Sequence, residues 1–448
     1  MTSANQSKLY KIVWVVFFIV SAYLIWTVSK FNNDLAFSDQ IDIFYGYLTK
    51  QDLLTLFLQQ HGPHRQGIGA ILMLPALWLA NWNFSVISYI TCLIMILSAY
   101  VLILTLRAYQ TNPITAIACV LLILSLGAAE LLNRTPNISH STLPILFSLI
   151  IFWLNAKSPI TSTATGIAIL TLAIGALFTG FGIFVFLSFL TVFFLKQQFL
   201  IREVQNDLNQ PASKIKFPKI SIGTYLVIGV SITIFFINYQ SSAATAEGCT
   251  TTAIDNFFNV LKYSFSVASI VLGGSQFPTS SRAFGFFIVV SFILLSIFCL
   301  VKVVKNKDRI AMNCLFLILI SIGFIFNVAI GRHCLGADSA FASRYYPLSS
   351  LGLIGVLVAL DHFCRNSYPW LSKTLSAVVI ALTLAVVFPL GLKLMSQYHE
   401  HKNNFIVCML NNDSLKFCND LFKIYPDSDR LESFYELVLP FKSGQFRI

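Results

Sequence analysis

The sequence predicts an all-α, polytopic membrane protein, and three observations carry that prediction. Charged residues make up 11% of the 448 and hydrophobic residues 56%, whereas soluble domains carry about 25% charged residues. Mean hydropathy is +0.75. Apolar runs of roughly the ~20 residues that a membrane-crossing helix needs recur along the chain, with basic clusters between alternate runs. The 41 phenylalanines suit a lipid-facing surface.

Taken in order, the apolar runs give eleven spans, at 10–29, 84–106, 114–129, 142–155, 161–177, 181–196, 220–238, 284–301, 310–328, 346–361 and 374–392. The fourth and tenth are short. The first run is too long for a cleavable signal, and Ser29-Lys30-Phe31 is not a small-residue cleavage site, so a retained signal anchor is expected. Residues 67–80 are apolar but interrupted by Pro75. At ~1.5 Å per residue they cover only ~21 Å, short of the ~30 Å hydrocarbon core. They read as an interfacial or re-entrant helix ending at Asn81-Trp82-Asn83, with the indole at headgroup level.

Orientation follows from the basic residues. The net charge is +11, and in a membrane protein it is sorted by side before nucleic acid is invoked. No nucleic-acid partner is expected. With the N-terminus inside, Lys8, Lys11, Arg107, Lys157, the run 196–219, Lys302, Lys305, Lys307, Arg309, Arg365 and Lys373 all fall on the cytoplasmic side, as the positive-inside rule asks. The C-terminus is then outside. Outer features are the first loop (30–83), a short loop (130–141), a long loop (239–283), a loop at 329–345 and a tail (393–448). Two units result: a transmembrane domain over 1–392 and a small, mostly helical outer tail over 393–448, which holds seven acidic and seven basic residues. Within the long loop, 255–283 (Asp255, Lys262, Gln276, Arg282) reads as an amphipathic segment lying on the bilayer.

Of the nine cysteines, Cys249, Cys334, Cys408 and Cys418 fall outside, an even number in an oxidising compartment. Cys408 and Cys418 enclose the turn-forming Asn411-Asn412-Asp413-Ser414, so a local disulfide is expected there, with Cys249–Cys334 tying two outer loops. Four free thiols is the alternative. No internal repeat, phosphate-binding glycine loop or cytoplasmic metal-spaced cluster is found, which argues against an ATP-driven pump. Ion-coupled transporters usually bury acids mid-span, whereas Glu130, Asp338 and Asp361 sit at span ends.

Chemistry-bearing residues concentrate in the outer loops. Asp39 and Asp42 are three apart and share a helix face; one of them would act as general base, although Ser38 or Asp39 as N-cap with Asp42 in the first turn fits the same spacing. His61-Gly62-Pro63-His64-Arg65 opens the interfacial helix, and a helix N-terminus beside Arg65 suits an anion such as a lipid phosphate. Headgroup anchoring is the alternative for His61, His64 and Arg65. Glu130, Asn133, Arg134 and His140 crowd the second outer loop and suit hydroxyl recognition, or form an ordinary polar turn. Arg332-His333, Asp338 and Arg344-Tyr345-Tyr346 form the last outer loop, where Arg332 and Arg344 run against the positive-inside trend and suit phosphate; an Arg–Asp338 ion pair closing the loop is the alternative.

A first span, an outer loop with an aspartate soon after it, a proline-bearing interfacial helix and a second span ending in a cytoplasmic arginine together resemble the GT-C-type integral membrane glycosyltransferases. Gln60-His61-Gly62-Pro63-His64-Arg65 and Ala342-Ser343-Arg344-Tyr345 are similar to signatures of a group of bacterial membrane proteins. Size and layout also resemble the bacterial serotype-converting O-antigen glucosyltransferases. The resemblance covers most of the chain as layout; the second loop departs from that group's aromatic-rich pattern. It implies a GT-C-like fold in the bacterial inner membrane. The implied activity is transfer of a hexose from a polyprenyl-phosphate donor to a lipid-linked O-antigen or other surface glycan on the periplasmic face. It further implies Asp39 as the essential acid, with Asp42 as fallback. Donor phosphate would meet His64, Arg65, Arg332 and Arg344, and substrate would meet His61, Glu130, Asn133, Arg134, His140 and Tyr345. No cofactor is required by the residues; a divalent cation would have only two loop carboxylates to hold it, and no metal ligands are assigned. A lipid-linked glycan translocase and an O-antigen polymerase are the rival expectations.

Overall fold

The computed structural model describes residues 3–49, 52–61, 64–157, 163–206, 222–239, 256–411, 414–438 and 440. Eighteen α-helices are seen among them. In chain order they are α1 (Ser3–Phe31), α2 (Asp39–Leu48), α3 (Leu53–Phe57), α4 (Gly67–Leu79), α5 (Ser85–Ala108), α6 (Pro113–Ile123), α7 (Thr142–Lys157), α8 (Thr163–Leu177) and α9 (Ile183–Asn206). There follow α10 (Ile222–Phe236), α11 (Phe257–Ser269), α12 (Pro278–Asn306), α13 (Arg309–Arg332), α14 (Tyr346–Cys364), α15 (Pro369–Leu382), α16 (Phe388–Leu410), α17 (Leu415–Phe422) and α18 (Ser428–Val438). The extended pieces among the described residues are β1 (Gln60–His61) and β2 (His64–Arg65), paired antiparallel.

Among the described residues six helical stretches are long and apolar enough to cross a membrane: Leu9–Phe31, Ser85–Ala108, Ser280–Asn306, Arg309–Leu335, Ser343–Cys364 and Pro369–Leu410. The protein is therefore an all-α, multi-pass membrane protein. The other apolar runs form shorter helices, such as Pro113–Ala128 and Thr142–Lys157. Local chemistry sets the boundaries. Asn112 caps α6 ahead of Pro113, its side chain accepting from the Ile114 N–H, and Asp308 caps α13 through the Ile310 and Ala311 N–H groups. Both satisfy orphan donors at a helix start.

Hydrogen bonds identify which helix ends lie together. At one end Tyr10 donates to the Thr111 carbonyl (3.0 Å), Asp361 takes the Asn112 N–H (3.0 Å) and Arg365 (3.2 Å), and Arg309 donates to Asn155 O (3.1 Å). Lys302 stacks beside Phe298 and Phe363 at the same end. At the other end Asn32 donates to Ser85 O (2.7 Å), Asn133 to Phe31 O (2.7 Å) and the Phe181 N–H to His140 O (3.2 Å). The described basic residues Lys302, Arg309 and Arg365 thus gather at one end of the bundle and the polar loops at the other, while residues 207–219 of the basic run lie outside the described residues.

Pro369–Leu410 is one continuous helix, α15 and α16 joined by a π-turn at Thr383–Val387. Forty-two residues at ~1.5 Å each reach ~60 Å, about twice the hydrocarbon thickness. Its apolar part ends near Leu392, and the stretch from Lys393 onward continues past that apolar part among the polar loops, with Met395 still in the main core. Gly391 lets this helix touch the turn below the polar loops, since a Cβ there would sit 2.2 Å from the Leu126 carbonyl oxygen.

Four sequence expectations are corrected here. The helix over 67–80 forms as α4, with Pro75 inside, but it starts at Gly67; His64 and Arg65 belong to a strand before it, and Gly62 and Pro63 lie outside the described residues. Trp82 does not face headgroups. It is 1% exposed, packed against Phe44, Tyr47 and Phe84, because Asn81 and Trp82 both take positive φ and fold the chain back under α2. Helix α11 is not spread on a surface: Val260, Tyr263 and Val267 are buried against α12 and α13, while Asp255 lies outside the described residues.

The fourth concerns the tail over 393–448, expected as a separate unit, which packs on the first loop. A second apolar core joins Leu35, Phe37, Ile41 and Phe44 of the first loop to Phe405, Leu431 and Phe434 of the tail. The expected Cys408–Cys418 disulfide is present. Cys334 is also disulfide-bonded, and Cys249 lies outside the described residues.

Candidate functional site

A cavity of about 400 Å³ opens at the end of the bundle away from the basic clusters. Four distant segments build it: Phe37 and Ser38 from the first loop, Glu130 to Thr135 from the second, Asp338 to Arg344 from the last, and Tyr398 from α16. The second segment is a π-turn, Glu130–Arg134, and such turns recur at functional sites because they re-aim side chains out of helical register.

Charge on the walls is mixed. Arg344 donates to Glu130 at 3.1 Å, with side chains 22% and 5% exposed. The Glu130 N–H is itself held by Ser343 Oγ at 2.8 Å. Arg344 thus pairs with Glu130 and not with Asp338, the alternative the loop offered, and Asp338 is an exposed residue of the rim. Arg134 lies between the rings of Phe37 (5.2 Å) and Tyr398 (5.4 Å), an arrangement that orients a guanidinium without neutralising it.

Asp39 opens α2 beside this cavity, close enough for its carboxylate to act on the charge of Arg344. Of the alternative reading, Asp39 and Asp42 do lie in the first turn of α2, but Ser38 makes no side-chain cap. Ser38 has φ +48° and ψ −121°, and its hydroxyl donates to Asp39 Oδ1 at 3.1 Å instead of accepting from the helix. A non-glycine residue in that backbone region costs about 1–3 kcal/mol and persists only when its surroundings impose it. Here the Ser38 N–H bonds the Ile424 carbonyl (3.0 Å), and Gln40 bridges Phe37 N–H (3.1 Å) to the Pro136 carbonyl (3.0 Å).

Asp42 faces away from the cavity. Its Oδ1 accepts from Tyr425 OH at 2.6 Å and from Arg430 at 2.9 Å. Burial, then the Asp42 carboxylate, push the Tyr425 phenol up, so it stays a donor throughout the physiological range. This is an attachment between α2 and the tail. Asp42→Asn and Tyr425→Phe are each expected to lower stability by about 1–2 kcal/mol, less than the full value for a hydrogen bond to charge because the site is part-exposed. The double variant should fall short of the sum by at least about 0.5 kcal/mol, the mark of a shared contact. Strict additivity in denaturation of the purified protein would dissolve the attachment.

The remaining expected residues lie elsewhere. Arg65 is 2% exposed; its guanidinium donates to the Phe235 carbonyl (3.0 and 2.9 Å) and also to Leu58 and Ile237. It satisfies orphan carbonyls at the C-terminal end of α10, which leaves the fork spent on backbone and outside the cavity lining. His64 meets Phe181 edge-on (4.0 Å between ring centres), with His140 6.0 Å away and hydrogen-bonded to Asn137 (3.2 Å). His61 sits in β1, Arg332 ends α13 outside the cavity wall, and Tyr345 is buried edge-on to Phe324. Asn133 is fully buried and holds the Phe31 and Met395 carbonyls at 2.7 and 3.1 Å. Of the residues expected to bind substrate or phosphate, Glu130, Arg134 and Arg344 therefore share one cavity, with Asp39 next to it.

Sequence reasoning missed Phe37, Gln40, Tyr398 and Lys402. Only Lys402 left a trace, as a charged residue inside an amphipathic tail helix. Among the described residues no group of three His, Cys, Asp or Glu side chains converges as a metal site would. No protein-family model and no curated protein matches the chain.

Proposed function

We propose that this protein is a GT-C-type membrane glycosyltransferase. In this reading it moves a hexose from a polyprenyl-phosphate donor to a lipid-linked surface glycan at the outer face of a bacterial inner membrane. The observation that carries the reading is the cavity in which Arg134 and Arg344 face Glu130 and Asp338, beside Asp39. Its ≈ 400 Å³ is within the range of small-molecule sites, about 300–1,000 Å³. The reaction needs a base for an acceptor hydroxyl and cations for a departing phosphate, and those are the charges present. Aromatic faces of Phe37 and Tyr398 suit a sugar ring.

In the proposed step the acceptor oxygen bonds the anomeric carbon as the bond from that carbon to the phosphate oxygen breaks. Asp39 takes the acceptor proton. Polyprenyl phosphate leaves with the electron pair, its added charge met by Arg344 and Arg134.

Eleven crossings fit the alternation of helix ends. α1, α6, α8, α10, α13 and α15 run from the basic end toward the cavity end, and α5, α7, α9, α12 and α14 return. The shorter helices would then be shielded by their neighbours. By the positive-inside rule the cavity end is the outer one.

Glycan mass analysis of cells with and without the gene tests the reading. The expected result is loss of one hexose per repeat when the gene is removed. Unchanged composition with lipid-linked precursor retained inside would mean translocation, and altered chain length would mean polymerisation; either overturns the transferase.

A further inference from the structure

Lys402 lies one turn beyond the cavity, in the part of α16 that projects past the apolar span, and its residue is only 2% exposed. Buried lysines are rare unless paired, yet this amine ends on backbone. Nζ donates to the Asn133 carbonyl at 2.7 Å and toward the Leu35 carbonyl at 3.4 Å. Those two carbonyls belong to different walls. Leu35 leads into Phe37, Ser38 and Asp39, while Asn133 sits in the π-turn between Glu130 and Arg134.

We infer that Lys402 is a positioning residue for the reaction proposed above, a strut that fixes the Asp39 wall of the cavity relative to the Arg134 wall. The surrounding contacts point the same way. The Asn133 side chain grips Phe31 O and Met395 O, and His399, one turn earlier than Lys402, is within 2.8 Å of Phe31 O. First loop, second loop and α16 therefore meet at one hub, and Lys402 reaches from α16 to both loops at once. Burial, opposed by Asp34 and aided by Arg134, pushes the amine down to about 7, so it can donate without carrying a full buried charge near neutral pH. An apolar side chain of that length would fill the space but leave both carbonyls without the donor.

Hydrogen exchange read by mass spectrometry on the full chain in lipid nanodiscs tests this without assuming any activity. Lys402→Met is expected to speed exchange at least about 10-fold in peptides covering 31–42 and 130–136, with 310–330 unchanged. Lys402→Arg, which keeps a donor, should restore most of the protection in both segments. Equal exchange in all three proteins, or faster exchange everywhere in Lys402→Met with no rescue by arginine, overturns the strut. Sugar transfer by the same samples separates the two readings. If the exchange pattern appears but the unsubstituted protein transfers nothing, the proposed reaction fails and the strut stands. If it transfers and Lys402→Met does so at the full rate, the positioning role fails.

Discussion

Asp39→Asn is expected to lower sugar transfer by about 10²- to 10⁴-fold, the range for loss of a positioned general base, while expression and melting temperature stay near those of the parent. The amide keeps the size of the carboxylate and can still accept the 3.1 Å hydrogen bond from Ser38, so the turn into α2 has no reason to collapse. What vanishes is the capacity to take a proton. Initial rates with a synthetic polyprenyl-phosphate hexose, with the donor saturating, give the readout. Full turnover in Asp39→Asn, with Asp42→Asn inactive, would move the chemistry to the residue that the structure ties to Tyr425 and Arg430.

Arg344→Met should have the largest effect on stability, about 2–4 kcal/mol, below the ~3–5 kcal/mol for one member of a fully buried ion pair because Arg344 is 22% exposed at the cavity wall. Glu130 is only 5% exposed on its side chain and would be left as an unpaired carboxylate. The double variant Glu130→Gln with Arg344→Met removes that charge and is expected to regain most of the loss, since neutral pairs in such sites are often nearly isoenergetic with the ionic one. Transfer should not return with stability, because the cation proposed to meet the leaving phosphate is still missing. Recovery of both in the double variant would make the pair purely structural. Denaturation in detergent and initial rates on the same preparation distinguish these outcomes.

The helices could be read from apolarity, because a run such as 284–301 has no other soluble fate. The α4 helix and the Cys408–Cys418 bridge were readable for local reasons, a run too short to cross and two thiols around a turn. What escaped was long-range. Arg65 looked like a phosphate ligand because it stands near a helix start, but the acceptors that claim it come from α10, about 170 residues later. Trp82 looked interfacial by type, and Phe44, Tyr47 and Phe84 bury it instead, in a core that the distant tail completes through Phe434 against Phe84. The cavity takes its walls from residues near 38, 134, 340 and 398. No periodicity or spacing along one chain encodes that four such loops converge.

Asp42 and Tyr425 are separated by 383 positions, and that interval has a clock attached. At roughly 5–20 residues added per second, the aspartate leaves the ribosome about 20–80 s before its phenolic partner exists. Through that interval the 31–42 segment has none of the fastenings that Lys402, Ile424 and Tyr425 later supply. Competence for whatever happens at this cavity is acquired only when the late helices arrive, so a stalled nascent chain, though already threaded through the bilayer, stays inert.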